Sequence, residues 1–243
     1  MSRAIKTAMV MAAGYGTRMR PLTNDRSKAM VEVGGKPLID HTLDRLAEVG
    51  VERAIVNVHA HADHLETHLK GRTSGPQIII SDERDALLET GGGVVKALPL
   101  LGEAPILICN IDAIWIEFAP VLKHLMSKWN PQDMDELLLL ARRDMALGHD
   151  GAGDFEFITG TTSPHIQRRS KETAPYYYSG VQIFKPQLAA SHKIEKFSRN
   201  KIWDETLSRG KICGTVMPGF WMHVGDPRAR GAAEAVLEQD KIL

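Results

Sequence analysis

The chain has 243 residues, 43% of them hydrophobic and 25% charged, a composition typical of a globular α/β protein with one large domain or two small ones. Its 30 lysines and arginines balance its 30 aspartates and glutamates, which excludes an overall electrostatic field that would attract nucleic acid or an anionic membrane. Any affinity for phosphate groups must therefore come from a local cluster of cations.

Neither the N-terminus nor the cysteines indicate secretion. The first residues, MSRAIKT, contain no apolar stretch of the kind that a signal peptide needs, and no run reaches the roughly 20 apolar residues of a membrane-spanning helix. Cys109 and Cys213 lie far apart in apolar runs, which favours small core residues over a metal motif or a disulfide. The sequence therefore predicts a cytoplasmic protein without a membrane partner.

An apolar run, a turn of small residues and a group of cations follow one another near the N-terminus. Residues 8–11 read AMVM, without polar alternation, and predict a central strand of a parallel sheet. The next turn consists of small residues that let a ligand approach the backbone: Ala12, Ala13, Gly14 and Gly16. Three cations follow: Arg18, Arg20 and Lys28. This combination predicts a phosphate-binding loop.

Glycines after a strand are weak evidence by themselves, because many α/β turns need small residues. A dinucleotide-binding fingerprint would place its third glycine at Met19, and no Gly-Lys-Ser/Thr follows to make a P-loop. The cations and the rest of the string therefore carry the phosphate prediction.

Strands and helices alternate through the first half of the chain. Hydrophobic spacing predicts helices at 37–49 and 61–70 and strands at 54–58 and 77–81. The triple glycine 91–93 is then expected to open a helix over 94–98 whose free amide groups face a ligand, with a flexible linker as the alternative.

A fourth apolar strand, 105–109, runs directly into Asn110, Ile111 and Asp112. Ligands of open parallel sheets bind beyond the carboxyl ends of the strands, which makes Asp112 a candidate catalytic carboxylate. An aspartate at this place can also be a turn residue or a helix N-cap.

The regular alternation of strands and helices ends in the second half of the chain, where short strands and a polar hairpin suggest an antiparallel subdomain over the sheet. Helices are expected at 118–129, 186–190 and 201–209, and strands at 137–142, 155–157, 176–184, 212–217 and 220–224. Residues 146–153, rich in glycine, are expected to form a mobile loop, and Arg168, Arg169 and Lys171 a solvated hairpin tip. Asp226 before Pro227 predicts the N-cap of a last helix.

The string AAGYGTRMRPLT followed by SK resembles the signature of the sugar-1-phosphate nucleotidyltransferases, which make NDP-sugars from an NTP and a sugar 1-phosphate. LETGGG at 88–93 resembles a second nucleotide-contacting segment, particularly in the branch acting on N-acetylmuramate 1-phosphate. Residues 110–112 resemble the family's Asn-Gly-Asp, with Ile111 in place of glycine. The resemblance is densest at 7–40, 86–115 and 219–227.

This resemblance implies a Rossmann-like α/β fold with a mixed, mostly parallel central sheet, helices on both faces and a small antiparallel sugar-side subdomain. It also implies a single nucleotidyltransferase domain over 1–243. Within that domain the nucleotide-binding half is expected at about 1–142, the acceptor-sugar part at about 143–225 and the C-terminal helix at 226–243.

Site residues follow from the same resemblance. Catalytic roles are implied for Arg18, Lys28 and Asp112. The implied nucleotide site consists of Ala12, Ala13, Gly14, Gly16, Thr17, Glu89, Gly91 and Asn110. The implied sugar site consists of Gly153, Asp154, Ser179 and Gly180.

The implied cofactor is Mg²⁺ on Asp112. The family's second metal-binding aspartate belongs to a Trp-x-Asp-x-Gly string, and here His223 takes its place. Because imidazole suits softer metals, Mn²⁺ or Co²⁺ is an alternative to Mg²⁺. Asp226 is an alternative source of the missing carboxylate, although Pro227 explains it as an N-cap.

The implied substrates are an NTP, with UTP favoured, and a sugar 1-phosphate, with N-acetylmuramate 1-phosphate favoured. Guanylyl or cytidylyl transfer to mannose, heptose or another sugar 1-phosphate stays open at this point. A nucleotide-sugar binding protein without turnover is the alternative from a different functional class.

Overall fold

The computed structural model describes residues 5–160 and 164–240, and the expectations for 1–4, 161–163 and 241–243 lie outside the described residues. The strands are β1 (Thr7–Met11), β2 (Glu32–Val33), β3 (Lys36–Pro37), β4 (Arg53–Val58), β5 (Gln77–Asp82), β6 (Ile106–Asn110), β7 (Ala113–Glu117), β8 (Glu136–Arg142), β9 (Ala146–Leu147), β10 (Phe155–Phe157), β11 (Ile166–Arg168), β12 (Tyr176–Phe184), β13 (Ile212–Val216) and β14 (Gly219–His223). The α-helices are α1 (Leu38–Glu48), α2 (Ala62–Lys70), α3 (Glu89–Leu101), α4 (Val121–Ser127), α5 (Asn200–Ser208) and α6 (Pro227–Asp240).

A central sheet carries the fold, with strand order β11-β10-β12-β6-β1-β4-β5 and with β8 and β13 joined beside β12. β1 is parallel to both β4 and β6, β4 is parallel to β5, and β8 is parallel to β13. β12 runs antiparallel to β6, β8 and β10. The mixed, mostly parallel sheet is therefore confirmed.

Helices cover both faces of this sheet, because the strands are apolar on both sides. In β1, Ala8 and Val10 belong to the core shared with α1, α2 and α4, whereas Met9 belongs to the core shared with α3 and α5. All three side chains are fully buried. A central parallel strand needs this uninterrupted apolar run.

A separate small sheet, in the order β7-β14-β9, completes the architecture. β7 and β14 are antiparallel, and β14 is parallel to β9. β7 was not predicted, and the helix expected from 118 is shorter because the chain first finishes this strand. Part of the loop expected to be mobile, Ala146–Leu147, is strand β9 instead.

Two local expectations are confirmed, the cap of α6 and the burial of the cysteines. Asp226 caps α6, since its Oδ1 accepts a hydrogen bond of 2.8 Å from the Ala229 amide. Cys109 and Cys213 are buried free thiols in β6 and β13. Among the described residues, no helix has the length and apolar character needed to cross a bilayer.

Candidate active site

A cation, a carboxylate and an imidazole meet at the carboxyl end of β6. The Lys28 Nζ atom lies 2.7 Å from Asp112 Oδ2, and the His223 Nε2 atom lies 3.3 Å from the same oxygen. All three side chains are largely buried. The structure thus brings together the two residues expected at the metal and one of the expected catalytic cations.

The small sheet explains why residues so distant in sequence meet here. His223, at the end of β14, is paired with Ala113 at the start of β7, directly after Asp112. The Val224 amide donates a 2.8 Å hydrogen bond to the Asp112 carbonyl. His223 Nδ1 lies 3.3 Å from the Gly148 carbonyl, which only accepts, so Nδ1 carries the proton of this contact. The same ring therefore reaches the Gly148 carbonyl through Nδ1 and the Asp112 carboxylate through Nε2.

The charge of Asp112 is set by its neighbours. Burial alone would raise the pKa of this carboxyl, but the Lys28 ammonium and the His223 ring together hold it well below its usual range. Asp112 is therefore an anion suited to bind a cation.

This donor set fits a divalent metal that is shared with a substrate. Among the described residues, no group of three or more His, Cys, Asp or Glu side chains could hold a metal by itself. Asp112, with His223 beside it, could supply part of a coordination shell, and phosphate oxygens would complete it. Mg²⁺ is commonly bound in this way, through one or two carboxylates plus substrate phosphates.

The turn after β1 is held by a side chain that lies on β4. Asn57 Oδ1 accepts hydrogen bonds from the amides of Ala12, at 2.7 Å, and Ala13, at 3.2 Å. Asn57 Nδ2 in turn donates to the Oε1 atom of the fully buried Glu83, at 2.8 Å. These two amides are therefore occupied within the protein rather than available to a ligand.

The available amides belong to the next residues. The amide groups of Gly14, Tyr15 and Gly16 have no hydrogen-bond acceptor among the described residues. Gly16 has a φ of +62°, and a Cβ atom there would lie 2.9 Å from Lys28 Cβ. Glycine at this position therefore allows both the turn and the close approach of Lys28.

Arg18 follows this turn as an exposed side chain that forms no ion pair within the described ranges. A long cation at the rim of a cleft, without a protein anion to neutralise it, is suited to bind an anionic ligand.

Two clefts open on either side of Asp112. The first, of about 630 Å³, is lined mainly by residues from the first half of the chain: Met11, Ala12, Ala13, Gly14, Tyr15, Gly16, Thr17, Arg18, Lys28, Asn57, Leu87, Glu89, Thr90, Asn110, Ile111, Asp112, Ser198 and Gly225. The second, of about 390 Å³, is lined mainly by residues from the second half: Arg18, Asn110, Asp112, His149, Asp154, Arg168, Tyr178, Ser179, Gly180, Asn200, Trp203, Trp221 and His223. The clefts share Arg18, Asn110 and Asp112, so ligands in both would meet at that point.

Nearly all of the expected site residues line one of these clefts, and Gly91 and Gly153 do not. A Cβ atom at Gly153, where φ is +87°, would lie 2.2 Å from the Ala174 carbonyl oxygen. A Cβ atom at Gly91 would lie 2.3 Å from the Phe197 ring. Gly153 is therefore required by a close backbone contact, and Gly91 by packing against the Phe197 ring.

The helix expected over 94–98 is present as part of α3, but it already begins at Glu89, so the triple glycine lies within its first turns rather than before it. The Gly91 amide donates to the Phe197 carbonyl at 2.9 Å, so it does not face a ligand. A Cβ atom at Gly92 would lie 2.0 Å from the Glu195 carbonyl oxygen. The glycines allow α3 to lie directly against residues 195–197.

Gly92→Ala should therefore destabilise the fold. Because the added methyl group would meet a backbone oxygen, residues 195–197 must shift, and we expect a loss of about 1–3 kcal/mol in the free energy of unfolding. Urea denaturation measures this loss. Gly231→Ala in α6 is the control, since a Cβ atom there meets nothing within 4 Å and alanine favours helix. Unchanged stability of Gly92→Ala together with lost nucleotide affinity would contradict the packing role.

The second cleft is shaped by an irregularity in β12. The register of β12 against β8 shifts between Tyr178 and Gln182, and Gly180 within the shift has a φ of +89°. The Trp221 indole donates a 3.0 Å hydrogen bond to the Ser179 carbonyl. Asp154 Oδ2 accepts from the Tyr178 amide at 2.9 Å. The bulge is therefore tied to β14 and to the start of β10.

The interpretation of Arg168 as part of a solvated hairpin tip is wrong. This side chain lines the second cleft and pairs with Asp204 at 2.7 Å. Its guanidinium lies 5.1 Å from the centre of the Phe155 ring and 5.4 Å from that of Trp203. A cation held in this way is fixed in orientation.

Sequence reasoning also missed polar and aromatic wall residues. Asn57 gave a weak signal, because it is a polar residue within the apolar run near the end of β4, and Glu83 follows directly after β5. Trp221 belongs to the Trp-x-Asp-x-Gly string, but its place in a cleft wall was not inferred from it. His149 and Trp203 gave no signal, because their contribution depends on contacts far along the chain. His149, for example, packs edge-on against Tyr177, with ring centres 4.6 Å apart.

Comparisons with known proteins agree with this arrangement. A family profile described as "Nucleotidyl transferase" matches residues 7–145. The chain is 49% identical to an N-acetylmuramate alpha-1-phosphate uridylyltransferase of Caulobacter vibrioides, with 98% of this chain and 100% of the relative covered. A protein of the same name from Neisseria meningitidis serogroup B is 32% identical, with 90% and 92% covered.

Solved structures show the same fold. A UDP-glucose pyrophosphorylase complexed with UDP-glucose superposes with a TM-score of 0.81 at 16% identity, with 97% of this chain and 99% of that chain covered. A UTP-bound UGPase from Acinetobacter baumannii superposes with a TM-score of 0.76 at 17% identity, with 96% and 93% covered.

The family makes NDP-sugars from an NTP and a sugar 1-phosphate, and its members generally use a divalent metal. The profile covers more than half of the chain, and two relatives exceed 30% identity over nearly its full length. The chain therefore belongs to the nucleotidyl transferase family and is a sugar-1-phosphate nucleotidyltransferase.

Proposed function

We propose that this enzyme transfers a uridylyl group from UTP to N-acetylmuramate 1-phosphate and releases pyrophosphate. The observation that carries this proposal is the 49% identity, over essentially both full lengths, to a relative named for that reaction. The more distant relative with the same name supports it. A role in recycling a cell-wall sugar in the cytoplasm follows from this substrate as part of the same proposal.

The reaction needs no covalent enzyme intermediate. A phosphate oxygen of the sugar 1-phosphate is already ionised, and it attacks the α-phosphorus of UTP in line while the bond to pyrophosphate breaks. Catalysis then consists of positioning the two substrates and stabilising the charge that moves to the leaving group.

Arg18 and Lys28 bind different phosphates in our proposal. Arg18, which is exposed and shared by both clefts, would bind the leaving phosphates, and Lys28 would bind the phosphate next to the reacting centre. Asp112, kept ionised by its neighbours, would hold a Mg²⁺ ion. When bound, the metal would supply further positive charge at the phosphate oxygens.

The two clefts would divide the substrates. UTP is assigned to the first cleft, with Ala12, Ala13, Gly14, Gly16, Thr17, Glu89 and Asn110 in its walls. The sugar is assigned to the second, with Asp154, Ser179 and Gly180 in its walls. This assignment supports a nucleotide-binding half at about 1–142 and an acceptor part at about 143–225 within one domain.

His223 would tune the choice of metal. Its Nε2 atom and Asp112 Oδ2 are 3.3 Å apart, close enough for both to contact one ion. Mn²⁺ and Co²⁺ accept imidazole more readily than Mg²⁺ does, so they should support turnover better here than in a site with two carboxylates.

His223→Asp should raise the apparent affinity of the enzyme for Mg²⁺ and reduce the advantage of Mn²⁺ and Co²⁺. Activity titrations with each metal measure this change, and electron paramagnetic resonance of bound Mn²⁺ gives a readout without turnover. His223→Asn is the matched control, since asparagine has the size of aspartate but no charge. If both variants keep the metal preference of the parent enzyme, His223 is not a ligand.

The substrates are tested by a pyrophosphate-release screen of the four NTPs against a panel of sugar 1-phosphates. We expect the highest kcat/KM for UTP with N-acetylmuramate 1-phosphate. A preference for GTP or CTP with mannose or heptose 1-phosphate would replace this proposal with the guanylyl- or cytidylyltransferase alternative. Binding of UTP without pyrophosphate release from any pair would contradict the transfer reaction itself.

A further inference from the structure

Residues 195–200, named here the connecting segment, lie between the start of α3 and the second cleft. The segment is joined to α3 by hydrogen bonds in both directions. The Phe197 amide donates to the Leu88 carbonyl at 3.2 Å, and the Gly91 amide donates to the Phe197 carbonyl at 2.9 Å. The Arg199 amide donates to Thr90 Oγ1 at 2.9 Å. Because these bonds are reciprocal, and because Gly91 and Gly92 let α3 approach the segment closely, the two pieces form one unit.

The connecting segment borders both clefts. Ser198 is in the wall of the first cleft, together with Thr90 of α3. Asn200 is in the wall of the second cleft. Arg199, between them, is only 3% exposed. A displacement of this segment would therefore alter both clefts at once.

The Arg199 side chain reaches the wall of the second cleft. Its Nη2 atom donates to the Tyr178 hydroxyl at 2.8 Å. The guanidinium also lies 5.5 Å from the Tyr178 ring centre and 5.3 Å from that of Trp203. Tyr178 and Trp203 both line the second cleft. The same residue is thus bound to the nucleotide side through its backbone and to the acceptor side through its side chain.

The positive charge of the buried Arg199 side chain is only partly compensated by its surroundings. Among the described residues, its Nε and Nη1 atoms have no hydrogen-bond partner and no carboxylate forms an ion pair with it. The buried Glu136 is not a firm counter-ion, since burial raises its pKa to about 7. Burying a cation in this way is unfavourable for folding, so stability alone does not explain the residue.

We propose that Arg199 is a positioning residue that couples the two half-sites, so that filling one cleft orders the wall of the other. When a nucleotide fixes the start of α3, the connecting segment becomes fixed as well, and the guanidinium then holds Tyr178 in place for the acceptor. The coupling must act equally in the opposite direction, because linkage between two binding sites is reciprocal.

The test measures whether a change on one side affects the substrate on the other. Thr90→Val removes the oxygen that accepts from Arg199 and keeps the shape of the side chain, and Tyr178→Phe removes the hydroxyl. We expect Thr90→Val to raise KM for the sugar 1-phosphate, and Tyr178→Phe to raise KM for the NTP, each roughly five- to tenfold. In the double variant, the increase in KM should be less than the product of the increases in the single variants, since both changes interrupt the same connection through Arg199.

Arg199→Lys and Arg209→Gln complete the set. Arg199→Lys keeps the charge but loses the planar guanidinium, so this variant should raise KM for both the sugar 1-phosphate and the NTP. Arg209→Gln is the matched control, since Arg209 is exposed directly after α5. This variant should leave both KM values unchanged. Isothermal titration of an NTP analogue whose bond between the α- and β-phosphates cannot be cleaved, with and without sugar 1-phosphate, should show that the parent enzyme binds the two interdependently and that the variants do not.

Two results would overturn the proposal. One is that Thr90→Val affects only the NTP and Tyr178→Phe affects only the sugar 1-phosphate. The other is that the variants lower the melting temperature without changing either KM, which would make Arg199 a structural residue. The substrates are UTP and N-acetylmuramate 1-phosphate, or the pair that the screen selects. A wrong substrate assignment would be evident from the parent enzyme alone.

Discussion

Lys28→Met should lower kcat/KM by about 100- to 1000-fold, the range observed when one preorganised charge donor of a transition state is removed. Methionine keeps the unbranched stem that lies against Gly16 and removes only the ammonium. That ammonium is 2.7 Å from Asp112, at the point shared by both clefts, so it lies where substrate phosphates would meet. Steady-state kinetics and thermal melts measure the two consequences separately. Because the change leaves the buried Asp112 carboxylate without its cation, we expect a loss of stability as well.

Arg18→Ala provides the comparison without this complication. Arg18 is exposed and forms no ion pair in the described parts of the chain, so the melting temperature should not change while kcat/KM falls by a similar factor. Lys123→Ala, an exposed cation on α4, is the control and should have no effect on either quantity. A decrease of less than tenfold in Arg18→Ala or Lys28→Met would show that the phosphate-binding role of that residue is wrong.

Asp112→Asn should have the largest effect, a loss of roughly 1000-fold or about 4 kcal/mol in kcat/KM. Asparagine has the same shape but no charge, so it is a much weaker ligand for a divalent cation. The defect should be partly relieved at high metal concentration, because the variant lowers metal affinity rather than removing the phosphates that share the metal. Activity measured as a function of Mg²⁺ concentration tests both points.

Asp226→Asn is the matched control for this change. The Asp226 carboxylate accepts from the Ala229 amide at the start of α6, and asparagine caps a helix about as well as aspartate does. Activity, metal dependence and stability should therefore stay close to those of the parent enzyme. A loss comparable to that of Asp112→Asn would instead show that Asp226 supplies the second carboxylate of the metal site.

Sequence reasoning predicted the parts of the fold that local patterns determine. The β1 strand was predictable because a fully buried strand needs an uninterrupted apolar run, and the α6 N-cap because aspartate before proline has a specific local geometry. β7 was not predictable, because AIWIE is a strand only through its antiparallel partner β14. The helix α3 was predictable but its start was not, because its glycines contact residues more than 100 positions away.

In the candidate site, too, the residues in local motifs were predictable and those placed by tertiary contacts were not. Asp112, Lys28 and Arg18 lie within contiguous motifs whose chemistry is legible in the sequence. Arg168 was misjudged because its orientation depends on two rings and on Asp204, none of which is adjacent to it in sequence. The place of Arg199 between the clefts likewise depends on tertiary contacts.

The support of the β1 turn by Asn57 has a consequence for redesign of the nucleotide pocket. Randomising residues 12–17 would exchange side chains on a backbone whose course is still set from β4, because Asn57 holds two of its amides. Libraries that also vary Asn57 and Glu83 would allow the turn to adopt other shapes. A search for variants that accept a different base should therefore include this buried pair, even though Glu83 is entirely shielded from solvent.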